Sequence, residues 1–60
     1  MQNLCTIQYF LRNDPFGNIN YYKDEETAKQ AFQKMKSNGN YRIVILFDKN
    51  GKKIDEIIRK

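Results

Sequence analysis

Apolar residues recur at every second position near the two ends of the chain and at every third or fourth position between them, and this change of period decides what it can fold into. Ala28, Ala31, Phe32 and Met35 stand at i, i+3, i+4 and i+7, which draws one apolar stripe on a helix. Asp24 is a good N-cap, Glu25 and Glu26 suit the positive end of the helix dipole, and Lys34 and Lys36 suit the negative end. The helix is expected over residues 25–38, with Gly39 as its stop.

The flanking segments read as strands. Cys5, Ile7, Tyr9 and Leu11 share one face of the first, and Tyr41, Ile43, Ile45 and Phe47 share one face of the third; both sets are expected against the helix. Residues 19–22 form a short second strand. Ile54, Ile57 and Ile58 fit a helix as well as a strand, and the Asn50-Gly51 turn decides for strand, with a bulge near Asp55 and Glu56 as one way to align Ile54 with Ile57. Two turns close the hairpins: Asp14-Pro15-Phe16-Gly17 has Pro at i+1 and Gly at i+3, and Asp48-Lys49-Asn50-Gly51 has Asp at i and Gly at i+3.

Strand directions then give the topology. A helix returning from strand 2 makes strand 3 parallel to strand 2 and antiparallel to strand 1, so strand 3 inserts beside strand 1. The expected fold is α+β, a ββαββ chain with an antiparallel sheet in the order 2-1-3-4 and one helix on one face. No linker, repeat or low-complexity tract divides the chain, which reads as a single domain over residues 1–60.

So small a core needs support from outside the apolar pattern. A chain of 60 residues buries only about 60% of the surface its unfolded form exposes. With one cysteine and no histidine it can form no internal disulfide and lacks the commonest zinc ligand, which leaves self-association or a partner as support. No apolar run approaches the 18 residues of a membrane span, and the N-terminus lacks the charged and apolar regions of a secretory signal, so a reducing cytoplasm with Cys5 as a free thiol is expected.

Catalytic parts are few. Ser37 is the only serine, Thr6 and Thr27 the only threonines, and Cys5 reads as a core residue in step with Ile7. The carboxylates Asp24, Glu25 and Glu26 are explained by helix capping, and Asp55-Glu56 forms the only other group beyond the turn residues Asp14 and Asp48. Counted from Asp48 as a calcium loop, Gly51 falls at position four and Arg59 at position twelve, where such a loop needs glycine at six and glutamate at twelve. No glycine-rich phosphate loop occurs. The reading is therefore a non-enzyme with no cofactor, metal or small-molecule substrate.

One helix leaves the other side of the sheet open. On the face assignment above, that side carries Thr6, Gln8, Phe10 and Arg12 from strand 1 and Arg42, Val44 and Leu46 from strand 3. With Tyr22 and Ile57 added, Phe10, Tyr22, Val44, Leu46 and Ile57 are expected to form an apolar patch rimmed by Arg12 and Arg42, the pattern of a protein contact. The expected function is protein interaction, as a homodimer or as a small binder or inhibitor of a larger protein. The short uncharged edge of strand 2 offers a further place for a partner strand.

The alternative is nucleic-acid binding. Arg12 and Asp14 cancel within residues 1–22, so the whole net charge of +4 lies in residues 23–60. Lys29, Lys34, Lys36, Lys52 and Lys53 would contact phosphates while Phe10 and Tyr22 stack bases. The RNA-recognition signature is missing, and the aromatic run at residues 19–23 lacks its glycine.

Overall fold

The computed structural model describes residues 4–59. Its elements follow one another as β1 (Cys5–Leu11), β2 (Asn18–Tyr22), α1 (Glu25–Ser37), β3 (Tyr41–Phe47) and β4 (Lys53–Ile58). The four strands form one antiparallel sheet in the order β2-β1-β3-β4 with the helix on one side, the ββαββ α+β fold expected from the pattern. Among the described residues no helix is long and apolar enough to cross a membrane.

Local chemistry accounts for the element ends. The Asp24 carboxylate accepts from the Thr27 backbone N–H at 2.7 Å, closing the first turn of α1. At the far end the helix stops one residue earlier than expected, with Asn38 extended as C-cap, and Gly39 does not supply a left-handed residue. Cations from elsewhere in the chain take the exposed carbonyls instead. The Arg59 guanidinium donates to the carbonyls of Asn38 at 2.8 Å and Tyr41 at 3.1 Å and also to that of Lys36, while Arg12 Nε donates to Gly39 at 2.6 Å.

The β3–β4 turn is as expected: the Gly51 N–H donates to the Asp48 carbonyl at 3.0 Å, and Gly51 has a positive φ. The β1–β2 connection differs. Its hydrogen-bonded turn spans Leu11–Asp14, where the Asp14 N–H donates to the Leu11 carbonyl at 3.2 Å; the Asp14 carboxylate then accepts from the Phe16 N–H and the Asn18 amide. These donors, the Phe16 N–H foremost, hold the Asp14 carboxyl below its ordinary pKa, and the Thr27 backbone and hydroxyl do the same for Asp24.

The main correction to the sequence reading concerns β3. Opposed residues in an antiparallel pair share a face, and β1 and β3 pair Ile7 with Leu46 and Tyr9 with Val44. Leu46 and Val44 therefore point at the helix, where they are fully buried with Cys5, Ile7, Ala28, Phe32 and Met35. Ile43, Ile45 and Phe47, expected inside, lie on the open side.

The parity error has a local cause. The register jumps from Phe10↔Ile43 to Leu11↔Tyr41, leaving Arg42 as an extra residue. This bulge lets Tyr41 pack on the core beside Val44 and Leu46, and its ring meets Tyr9 edge-on with centroids 5.5 Å apart. A second irregularity sits at Ile54, between Lys53 and Asp55, rather than at Asp55-Glu56. Leu11, expected inside, is exposed at the end of β1.

Candidate protein-interaction face

The open side of the sheet is set out by the strand register in three cross-strand rows. Tyr21, Thr6, Phe47 and Lys53 make the first, Ile19, Gln8, Ile45 and Glu56 the second, and Phe10, Ile43 and Ile58 the third. Seven of these eleven side chains are large and apolar, and no other described element covers them. Tyr21, Ile58 and Ile19 are 65, 62 and 51% exposed.

Two features shape the third row. Gly17 has φ +73°, and a Cβ there would stand 2.6 Å from Cε2 of Phe10. The missing side chain thus lets the Phe10 ring lie over the end of β2 and extend the third row to the sheet edge. On its other side the Arg42 guanidinium, carried outward by the bulge, sits 5.8 Å from the Phe10 ring centroid.

Charge is scarce on this face. Lys53 and Glu56 neutralise each other at 2.8 Å along the β4 edge. Arg42 stands beside the Phe10 ring, and Asp48 and Lys49 border Thr6 and Tyr21 at the β3–β4 turn.

Of the side chains expected to make the contact patch, the structure keeps Phe10 and Arg42 together on the open face. Val44 and Leu46 belong to the core, and Tyr22 and Ile57 pack against that core on the helix side, opposite Cys5 and Val44 respectively. Arg12 holds the Gly39 carbonyl beyond the end of β1. Sequence reasoning missed Ile19, Tyr21, Ile43, Ile45, Phe47 and Ile58. The signal that finds them is the polar parity of β1: Thr6 and Gln8 mark the open side, and once β3 is registered against them its outward residues follow.

The basic set is not gathered. Lys34 and Lys36 lie in the last turn of α1, whereas Lys52 and Lys53 follow the β3–β4 turn at the opposite end of the sheet. Lys29 is paired with Glu25 at 3.1 Å on the helix, and Lys53 with Glu56 on the far layer.

For other chemistry the geometry offers little. Cys5 is fully buried. Among the described residues no cluster of three or more His, Cys, Asp or Glu side chains is placed to hold a metal ion. A shallow depression of about 460 Å³ is lined by Leu11, Arg12, Asn13, Asp14 and Asn40, and its one carboxylate is occupied by Phe16 and Asn18. No protein-family model matches the chain, and neither a curated protein nor a solved structure matches it.

Proposed function

We propose that this chain is a non-enzymatic protein-interaction module whose contact surface is the open face of the sheet. The observation that carries this reading is the continuity of Phe10, Ile19, Tyr21, Ile43, Ile45, Phe47 and Ile58 across all four strands. A contiguous apolar surface of that extent is costly to leave in water and is the ordinary signature of an interface. A cytoplasmic setting suits a chain whose single cysteine is enclosed in the core as a thiol. Nucleic-acid binding is less well supported, because the lysines it needs are split between two layers and two ends of the sheet.

Site-specific photo-crosslinking in cells tests the reading. A photoreactive residue at position 45, on the open face, should give protein adducts, while one at position 33, exposed on the helix, should give none. Equal yields at both positions, no adduct at 45, or adducts only to nucleic acid would reject it.

A further inference from the structure

We propose that the open face is occupied by a second copy of this chain, docked face to face across a two-fold axis that crosses the strands at the Gln8–Ile45 row. The proposal rests on the reading of this face as a protein contact and adds the identity of the occupant.

Three observations select a second copy. The first is Gln8 itself, a polar side chain in the middle of an apolar surface. It lies in the middle row, flanked by Ile19 and Ile45, and its amide takes no part in the side-chain hydrogen bonds formed among the described residues. Burying it under an apolar partner would strand a donor and an acceptor. A primary amide carries both, so two copies of Gln8 across a two-fold axis satisfy each other reciprocally.

The second observation is shape. Rotation about an axis along the middle row exchanges the first row with the third, so Phe47 of one copy meets Ile43 of the other. Tyr21 then meets the Phe10 ring where it lies over Gly17, and the small Thr6 faces the root of Phe10. Apolar groups face apolar groups along β3, where Ile45 meets its own copy, small faces large only at Thr6 and Phe10 on β1, and aromatic rings meet at the β2 edge.

The third is charge and area. The same rotation sets Glu56 against its own copy and Lys53 against Ile58 at the β4 edge, and each Glu56 carboxylate is neutralised within its own chain by Lys53 at 2.8 Å. Four strands spaced ~4.8 Å and six residues long at ~3.3 Å each present a face of roughly 20 by 20 Å. Pairing two such faces removes on the order of 1,000 Å² from water, at the lower bound for a specific interface.

Sedimentation equilibrium from about 10 μM to 1 mM reads the assembly directly, a range suited to an interface of this size. The wild-type chain is expected to pass from 7.2 kDa to twice that mass as concentration rises. Gln8→Glu and Gln8→Lys, each placing like charges across the axis, should weaken association more than about tenfold when studied singly. Mixed one to one they should restore a dimer. Neither substitution touches the core, and amide spectra confirm that each variant stays folded. A wild-type chain that is monomeric throughout, single variants that associate like wild type, or a mixture that stays monomeric would each overturn the proposal. The crosslink at position 45 separates the two levels of the argument: adducts with a different protein from a monomeric chain would support the interaction module and reject the second copy.

Discussion

The sheet has two apolar faces, and among the described residues only one of them is covered. On the helix side Cys5, Ile7, Val44 and Leu46 are sealed beneath Ala28, Phe32 and Met35. On the other side Ile43, Ile45 and Phe47 alternate with those same residues along β3 and remain partly exposed, while Tyr21 and Ile58 at the edges are mostly exposed. An antiparallel sheet normally puts polar residues on its solvated side. Here β1 obeys that rule with Thr6 and Gln8, and β3 breaks it. The difference teaches that β3 is built like an interior strand, apolar at both parities, with its inner face covered by this chain's own helix and its outer face left open.

Breaking the inner face should have the largest effect. Leu46→Ala leaves a cavity among fully buried neighbours and should cost about 2–5 kcal/mol. Phe47→Ala, one residue along and on the outer face, should cost the isolated chain about 1 kcal/mol or less. Chemical denaturation of both variants at low protein concentration checks the contrast.

Gly17 links the two faces at the hairpin. Alanine there meets a positive φ and the Phe10 ring at 2.6 Å, so Gly17→Ala should cost about 1–3 kcal/mol and push the ring off the open face. Thermal denaturation reads the first effect, and loss of the Phe10 aromatic shifts reads the second. Arg59→Ala removes charged donors from three carbonyls between the last turn of α1 and the start of β3 and should cost about 1–2 kcal/mol, with amide exchange accelerating first at residues 36–41.

The smallest expected effect is acid sensitivity. Asp14 and Asp24 have folded pKa values below the ordinary 3.8, so their contribution is complete above that value and is lost as pH falls through the lower folded values. The melting temperature should accordingly decline as pH drops below about 4. Asp24→Asn keeps the capping oxygen and should reduce the slope while leaving the helix in place.

Much of this architecture could be read from residue spacing. The helix stripe, its Asp24 cap, the Asp48–Gly51 turn and the strand order all follow from short-range pattern and chain direction. The make-up of the open face did not follow, for a reason specific to β3. Its run from Ile43 to Phe47 is apolar at both parities, so alternation alone cannot say which half turns inward. No short turn joins β1 to β3, and their register depends on packing across the sheet and on the bulge at Arg42. Arg59 was hidden for a similar reason: its partners lie 18 to 23 residues away, on the far side of a fold that has first to form.

Val44 and Ile45 are neighbours in the chain with opposite surroundings, and the most direct test places the same charge on each. Val44→Lys puts a cation in the sealed core and should abolish dispersed amide signals, because a buried unpaired charge costs more than so small a domain can offset. Ile45→Lys should leave the amide spectrum dispersed and the chain monomeric at concentrations where wild type associates. A folded Val44→Lys variant beside an unfolded Ile45→Lys variant would invert the two faces and contradict the account. A folded Ile45→Lys variant that associates like wild type would contradict the role given to the open face.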